Sequence, residues 1–166
     1  MFDLTRALAS TSLAVYETVR SPQRQAELYA IGRQTAPRGK TVTRARAWES
    51  YHQYGLAADF VFSVNGKWTW TEPKFGQWKE FTLLAAKCGL RSLSFERPHV
   101  EFPDTQLSKL MSGQFPANGG DTWQEWLETQ IEQWGQHARN VGGITHPAAP
   151  SLGAFIERPA SEDIGS

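Results

Sequence analysis

The strands are predicted by short runs of β-forming residues. Residues 13–19 alternate between apolar and polar positions, and residues 57–62 form a mostly apolar run typical of a buried strand. Residues 66–70 follow closely enough to be the hairpin partner of that run, and residues 99–102 predict a short strand behind Pro98. The chain is therefore expected to contain a small antiparallel sheet.

Four helices are predicted from apolar spacing and from end signals. The first is a short opening helix over residues 3–12. The second begins after Ser21, which suits an N-cap, and ends at Gly32. Residues 75–88 predict a core helix, and residues 122–135 predict an amphipathic helix with tryptophans on its apolar face.

The composition of the chain changes after Phe102. Residues 103–121 are rich in glycine and proline and are expected to form a connector, while residues 141–166 predict an extended or disordered tail. The predicted organisation is a compact domain over residues 1–110, a connector with a Trp-rich helix over residues 111–140, and the tail. The expected fold class is α+β, with a small antiparallel sheet flanked by helices.

The composition narrows the class of protein. The chain has 166 residues, enough for one domain, and its 17 basic and 17 acidic residues give a formal net charge of zero. A nucleic-acid partner is therefore not expected. The one cysteine, Cys88, excludes an internal disulfide framework and zinc modules built from several cysteines. No stretch approaches the roughly 20 apolar residues of a membrane-spanning helix, and residues 1–13 do not resemble a secretory signal, so stable membrane insertion is not expected.

Two of the four histidines stand near acidic residues. His52 and Asp59 are seven residues apart, with Gly55 between them to allow a tight turn. Asp59 occurs in a mostly apolar strand, where a carboxylate is costly unless it is paired, hydrogen-bonded or bound to a metal. Further along the chain, Glu96 precedes His99 by three residues.

These four residues match the make-up of a catalytic zinc site. Two neutral imidazoles and one carboxylate leave a fourth position open for water, and a further carboxylate nearby can act as general base. By this reasoning His52, Asp59 and His99 are the ligands and Glu96 is the base. The alternative is that each is structural, with the aspartate paired to an arginine and the histidines bonded to backbone groups. Spacing alone leaves both interpretations open.

The motifs around these residues resemble those of the zinc peptidases of bacterial cell walls. The pattern Ser-x-His-x-x-Gly-x-Ala-x-Asp spans residues 50–59, and Glu-x-x-His spans residues 96–99. Upstream, a strand followed by Arg-Ser-x-x-x-Gln at residues 20–25 and by a helix ending in Gly-Arg also matches. The order and spacing agree from about residue 13 to residue 102. This superfamily includes D-Ala-D-Ala carboxypeptidases and dipeptidases, and L-alanyl-D-glutamate endopeptidases from phages and bacilli.

The resemblance implies a Zn²⁺ cofactor held in a cleft by His52, Asp59 and His99, with Glu96 as the catalytic base. It also implies that Arg20 binds the oxyanion or the scissile carbonyl. The endopeptidase branch often has aspartate where Glu96 stands, whereas the dipeptidase branch has glutamate. The Arg-Pro-His block and the Leu-Tyr-x-x-Gly-Arg block are closer to the endopeptidases.

Several further residues are expected around the substrate. Ser50 and Gln25, which match the family motifs, and Tyr54, which lies beside the first ligand, are the expected substrate-binding residues. Residues 28–48 contain five basic residues and no acidic one. Three interpretations of these basic residues stay open: a solvated face, a site that gathers the carboxylates of a peptidoglycan stem peptide, and a nucleic-acid patch without a recognisable motif. These residues are Arg33, Arg38, Lys40, Arg44 and Arg46.

Three other polar residues carry simpler expectations. Glu101 shares a strand face with His99, so it is either a hydrogen-bond partner of that histidine or a surface residue. His137 and His146 have no ligand partners at suitable spacing and are expected to be exposed to solvent.

The resemblance leads to two functions from different classes. The first is a zinc peptidase that hydrolyses the peptidoglycan stem peptide, as an L-alanyl-D-glutamate endopeptidase of the phage or prophage endolysin type. A D,D-carboxypeptidase or dipeptidase is the alternative within this class. The second is a non-catalytic wall-binding or virion structural module of the same fold. The enzyme is expected to be a monomer that is made in the host cytoplasm and acts in the cell wall or periplasm.

Overall fold

The central feature of the fold is an antiparallel sheet of five strands. The computed structural model describes residues 12–33, 40–116, 120–136 and 139–152. Within these ranges the strand order is β1-β2-β5-β4, with β3 paired to β2, and four helices accompany the strands. The predicted α+β class is therefore confirmed. The strands are β1 (Leu13–Glu17), β2 (Ala57–Val64), β3 (Lys67–Thr69), β4 (Arg91–Leu93) and β5 (Glu96–Glu101).

Strand β2 carries the aromatic core of this sheet. Phe60 and Phe62 are two residues apart, so their side chains lie on the same face of the strand, and they pack against helix α2 (Gln77–Lys87). Their rings lie 4.8 Å from the ring of Phe81 and 4.5 Å from that of Trp78, respectively. The predicted core helix and the predicted buried strand are both confirmed, because the apolar face of each is buried against the other.

Two further helices agree with the sequence pattern. Helix α1 (Pro22–Ala30) begins after Ser21, whose hydroxyl accepts a hydrogen bond from the backbone N–H of Arg24 at 3.1 Å. Helix α4 (Gly120–Gln136) buries Leu127 and Trp134 on the predicted apolar face. No helix in the described ranges is long and apolar enough to cross a membrane. The predicted opening helix lies outside the described residues, apart from Ser12.

Two short elements are absent from the sequence prediction. Helix α3 (Leu107–Met111) lies inside the segment predicted as a connector, and β4 lies where no strand is predicted. With five and three residues respectively, neither shows enough periods to be recognised by apolar spacing. Strand β5 also begins three residues earlier than predicted and includes Pro98. The strand tolerates this proline because no residue of β4 pairs with it, so its missing N–H costs no hydrogen bond to β4.

The chain divides into two units, and each unit is made of two separate segments of the sequence. The first unit comprises residues up to Arg20 together with Tyr54–Asp104, and it contains the five-stranded sheet and α2. The second comprises Ser21–Gln53 and the residues from Thr105 onward, and it contains α1, α3 and α4. The predicted boundaries near residues 110 and 140 stay predictions.

The C-terminal segment differs from the extended or disordered tail that its composition predicts. Strands β6 (Asn140–Val141) and β7 (Ile144–Thr145) form an antiparallel hairpin. The turn is Gly142-Gly143, with φ values of 59° and 77°, as a two-residue hairpin turn with positive φ requires. Glycine-rich composition predicts disorder here, but these two glycines form the turn of the hairpin. Residues 153–166 lie outside the described part of the chain.

His146 is buried, so the expectation that it is exposed is wrong. Its side chain is 2% exposed, and its Nδ1 accepts a hydrogen bond from the backbone N–H of Ala47 at 3.3 Å. The indole N–H of Trp134 donates to the carbonyl of Pro147, the next residue, at 3.0 Å. Burial and the nearby Arg46 lower the pKa of His146. His137 lies outside the described residues.

We expect Gly113→Ala to lower the free energy of unfolding by about 2 kcal/mol, because a side chain disfavours the left-handed backbone conformation. Gly113 has a φ of 81°, and a Cβ there would lie 2.2 Å from the backbone oxygen of Ser151. Gly135→Ala, in the last turn of α4 with no atom within 4 Å of the added Cβ, is the control and should not lower stability. Urea denaturation of both variants tests this, and an unchanged midpoint for Gly113→Ala would contradict it.

Candidate metal centre

Strand pairing brings two of the predicted ligands together. Asp59 of β2 and His99 of β5 are opposite residues in the antiparallel register. Directly opposite side chains of an antiparallel pair lie close on the same face of the sheet. The Oδ1 atom of Asp59 is 3.0 Å from Nδ1 of His99. The pairing of the two strands therefore sets the spacing of these two ligands.

The third predicted ligand, His52, lies in the turn that precedes β2. His52 belongs to a single turn of 3₁₀ helix (Tyr51–Tyr54) that leads into β2. Gly55 follows this turn with a φ of 67°, a conformation that side chains rarely adopt. The ligand atoms of His52, Asp59 and His99 all lie within 4.8 Å of one another. The three predicted ligands therefore lie close together, and metal binding by them stays a prediction.

His99 lies between two carboxylates. Its Nδ1 faces Asp59, and its Nε2 is 3.3 Å from Oε2 of Glu101. Burial opposes protonation of the imidazole, but the hydrogen bonds to Asp59 and Glu101 outweigh burial and raise the pKa of His99 to about 9. The negative charge of Glu96 contributes in the same direction. The surroundings of this imidazole therefore favour a positive charge.

This environment fits a zinc ion. The donor set of two imidazoles and one carboxylate is that of catalytic zinc sites. With zinc–ligand distances of about 2.0 Å, neighbouring ligand atoms of a tetrahedral site are about 3.3 Å apart. The 3.0 Å between Oδ1 of Asp59 and Nδ1 of His99 is close to that spacing. The acidic groups that hold a proton on His99 can hold a dication instead.

Glu101 is held by an arginine as well as by His99. The Nε of Arg91 donates to Oε1 of Glu101 at 2.8 Å, and the two residues are opposite each other on β4 and β5. Burial would raise the pKa of Glu101, but its bonds to His99 and Arg91 outweigh burial and lower it. Of the two readings of Glu101, the structure supports a partner of His99 rather than a surface residue. Arg91 is absent from the sequence prediction because its strand is not predicted.

Glu96 lies at an irregularity of strand β5. In the pairing of β4 with β5, Ser92 is opposite Val100 whereas Leu93 is opposite Glu96, so three residues of β5 have no partner on β4. Such a bulge interrupts the strict alternation of side chains. Glu96 is exposed and lines a cavity of about 490 Å³ together with Pro98 and Trp70. An exposed carboxylate near His99 is available to act as a base.

Arg20 makes contacts that differ from its predicted role. Its Nε donates to Oε2 of Glu17 at 2.8 Å, and its Nη2 donates to Oδ2 of Asp59 at 3.0 Å. The side chains of Arg20 and Asp59 are 11% and 15% exposed, so the pair is largely shielded from water. These contacts orient the carboxylate of Asp59, and oxyanion binding by Arg20 stays a prediction. Glu17 is absent from the sequence prediction.

The three predicted substrate-binding residues occupy different surroundings. The amide of Gln25 is buried, donating to the carbonyl of Ala45 at 2.7 Å and accepting from Gln53 at 3.1 Å. Tyr54 is fully buried, and burial raises the pKa of its phenol. Ser50 is half-buried, and its hydroxyl accepts from the backbone N–H of His52 at 3.4 Å. The contacts of Gln25 give it a structural role, and Tyr54 is part of the buried core. Substrate binding by the three stays a prediction.

The basic segment is partly used for internal contacts. The guanidinium of Arg33 lies 3.6 Å from the ring centre of Tyr29 and donates to the carbonyl of Thr43 at 3.0 Å. The guanidinium of Arg46 pairs with Glu49 at 2.7 Å. Arg38 lies outside the described residues. At least two of the five charges are thus engaged within the protein.

Comparison with known proteins supports a relation to peptidases over part of the chain. No family model matches. A segment of 49 residues, 30% of this chain, is 49% identical to the peptidoglycan L-alanyl-D-glutamate endopeptidase CwlK of Bacillus subtilis (strain 168). The chain spans 28% of the length of this relative. Part of the chain is therefore similar to a peptidase of peptidoglycan. This similarity supports the peptidase superfamily that the motifs resemble.

Proposed function

We propose that this chain is a zinc-dependent peptidase that hydrolyses the stem peptide of peptidoglycan. The observation that carries the proposal is the group His52, Asp59 and His99, whose ligand atoms lie within 4.8 Å of one another. The partial similarity to CwlK supports peptidoglycan as the substrate. A zinc ion bound by these side chains would polarise a peptide carbonyl and lower the pKa of a bound water to about 7.

In this proposal Glu96 moves the proton. Its carboxylate is exposed in a cavity and is not one of the three clustered ligands. A carboxylate in such a position accepts a proton from the attacking water and passes it to the leaving amine. Glu96 and His99 belong to the same strand, β5, and the bulge there interrupts the regular alternation of side chains between them. The negative charge of Glu96 also helps to raise the pKa of His99.

Two arginine–glutamate pairs support the ligands from outside. Arg91 and Glu101 hold the Nε2 side of His99, which leaves Nδ1 facing Asp59. Arg20 and Glu17 hold Oδ2 of Asp59, which leaves Oδ1 facing His99. Hydrogen bonds of this kind restrict the rotation of ligands and set the tautomer of a ligand histidine. We therefore assign positioning roles to Arg91, Glu101 and Arg20.

Within this class, an L-alanyl-D-glutamate endopeptidase of the endolysin type is the first candidate. The specificity of CwlK supports it, as does the Arg-Pro-His block at residues 97–99. A D,D-carboxypeptidase or dipeptidase is the second candidate, favoured by glutamate rather than aspartate at position 96. The two candidates differ in the bond cut, so the products distinguish them.

The decisive experiment is digestion of purified muropeptides followed by mass spectrometry. The protein is expected to release fragments with a new D-glutamate amino terminus, to lose this activity when a chelator removes the metal, and to regain it with added zinc. Removal of the metal should also lower the melting temperature, because binding to the folded state alone adds to stability.

Three results of this digestion would change the assignment. Loss of C-terminal D-alanine without new D-glutamate termini would favour the second candidate. Undiminished turnover by chelated protein that elemental analysis shows to be free of metal would refute the zinc mechanism. Binding to peptidoglycan without any cleavage in the presence of zinc would favour a non-catalytic wall-binding or virion module.

A further inference from the structure

Three aromatic residues form an exposed cluster on the sheet, and we call Tyr16, Trp68 and Trp70 the aromatic surface. The ring of Tyr16 lies 5.5 Å from that of Trp68 and 4.8 Å from that of Trp70, and both contacts are edge-to-face. The three residues are 44%, 62% and 52% exposed, respectively. All seven tryptophans of the chain lie in the described ranges, and Trp68 and Trp70 are the two that are exposed. Proteins rarely expose clustered apolar groups that have no partner.

Strand register places the aromatic surface on the same face of the sheet as two of the candidate ligands. Alternate residues of a strand share a face, so Asp59 and Ser63 of β2 point to the side opposite the aromatic core. Trp68 is opposite Ser63, and His99 is opposite Asp59. Directly opposite residues of an antiparallel pair lie on one face. Tyr16 belongs to the same side, because its ring contacts that of Trp68.

The aromatic surface also adjoins the candidate site. Tyr16 is the extra residue at a bulge in β1, and the next residue, Glu17, is opposite Asp59. Trp70 lines the cavity of about 490 Å³ that contains Glu96. The aromatic surface is therefore next to a candidate ligand on one side and next to the candidate base on the other.

The chemistry of the aromatic surface fits a sugar. The C–H groups on the face of a sugar ring carry partial positive charge, and they stack on the electron-rich face of an aromatic ring. The hydroxyl groups at the edge of the sugar then stay in water. Register adds Ser63 and Glu17 to this face, and neither carries a positive charge. A neutral sugar fits this surface better than an anionic lipid, which attracts basic residues.

We propose that the aromatic surface binds the amino sugar to which the stem peptide is attached. The proposal rests on the peptidase function proposed above and on its first candidate bond. In peptidoglycan the L-alanine of the stem is joined through a lactyl group to an N-acetylated amino sugar. For a cut after this alanine, the sugar lies one residue from the reacting carbonyl. A sugar-binding surface is therefore expected beside the catalytic groups.

The length of this connection agrees with the structure. An alanine and a lactyl group together span about 7 Å, at up to about 3.6 Å for each. Trp68 is opposite Ser63, which is four residues from Asp59 along β2, or about 13 Å. Tyr16 lies nearer, since it precedes the residue opposite Asp59. A sugar attached to the alanine can thus reach the aromatic surface while the cut bond lies at the candidate ligands.

The test compares two synthetic substrates that share one stem peptide. One carries N-acetylmuramic acid on its L-alanine, and the other carries an acetyl group there. Wild-type protein with zinc should cleave the sugar-bearing substrate with the higher kcat/KM. Trp68→Ala should lower the ratio of the two kcat/KM values by about 2- to 10-fold, the loss expected for one aromatic contact. An unchanged ratio in Trp68→Ala would overturn the proposal.

Two further variants separate stacking from other effects. Trp68→Phe keeps an aromatic ring, so it should retain most of the preference for the sugar-bearing substrate. Phe75→Ala is the matched control, because Phe75 is a fully exposed aromatic residue of the same unit that lies outside the aromatic surface. Phe75→Ala should keep the wild-type ratio. An equal loss in Phe75→Ala and Trp68→Ala would overturn the assignment to the aromatic surface.

A binding measurement separates this proposal from the peptidase function. Glycan strands freed of stem peptides should shift the tryptophan emission of the metal-free wild-type protein to shorter wavelength, and should shift it less in Trp68→Ala. If wild type cleaves neither substrate but shows this difference, the peptidase proposal fails and the sugar-binding surface stands. If it cleaves both with equal kcat/KM and the glycan leaves the emission unchanged, only the surface fails. A shift with vesicles of anionic phospholipid and none with glycan would assign the surface to a membrane and overturn sugar binding.

Discussion

Replacement of Glu96 by glutamine is expected to reduce turnover by about 10²- to 10⁴-fold, the usual contribution of general-base catalysis. Glutamine keeps the size of the side chain, but it cannot accept a proton at neutral pH. Because Glu96 is exposed and lies outside the three-residue ligand group, the variant should fold normally and retain its zinc. Single-turnover assays on purified muropeptides, with zinc content measured on the same sample, give the required numbers.

Glu101→Gln is the informative comparison, because Glu101 is the other carboxylate next to His99. Glutamine can still hydrogen-bond to the imidazole, so the loss of turnover should be smaller than for Glu96→Gln. The main effect should instead be a weaker affinity for zinc, of about 10- to 100-fold, as for other residues that orient a ligand. If Glu96→Gln retained turnover while losing the metal, Glu96 would be a ligand and not the base.

Asp59→Asn should abolish stable zinc binding. Asp59 contributes the one carboxylate of the candidate donor set, and its two oxygens contact His99 and Arg20. The neutral amide removes a charge next to the dication. A second effect follows because Arg20 loses its charged partner Asp59 and keeps Glu17. We expect the zinc affinity to fall by more than 100-fold, beyond the loss typical of residues that only orient a ligand.

Elemental analysis after dialysis measures this loss, and thermal unfolding shows whether the variant remains folded. Asp104→Asn serves as control, since Asp104 is an exposed acidic residue in the same unit of the chain. It should bind zinc as the wild type does. Stoichiometric zinc in dialysed Asp59→Asn would show that this aspartate is structural, paired with Arg20 as the alternative interpretation of the sequence holds.

The elements that the sequence predicts correctly are those with several periods or clear end signals. Helix α1 has Ser21 at its start, and α4 has two buried residues on one continuous apolar face. The short β4 and α3 carry too few residues for a pattern. The C-terminal hairpin is missed for another reason, because composition counts Gly142 and Gly143 as disorder although their positive φ values form its turn.

The sequence predicts the residues of the candidate site better than it predicts the contacts that they make. His52, Asp59 and His99 stand out because polar groups in apolar surroundings need partners. The supporting residues do not, since Glu17 and Arg91 are ordinary charged residues in the sequence and acquire a role through strand register. The same limit applies to Gln25, whose buried contacts with Ala45 and Gln53 depend on the folded chain.

The central position of β2 has a consequence for the order of folding. Asp59 contacts Arg20, 39 residues before it, and His99, 40 residues after it. Each contact requires the closure of a long loop, and such non-local pairings slow the folding of a domain. We therefore expect the ligand pair to be assembled late, after most of the chain entropy has been lost. Added zinc should slow unfolding strongly while it leaves the rate of refolding almost unchanged, because the ion binds an arrangement that forms after the rate-limiting step.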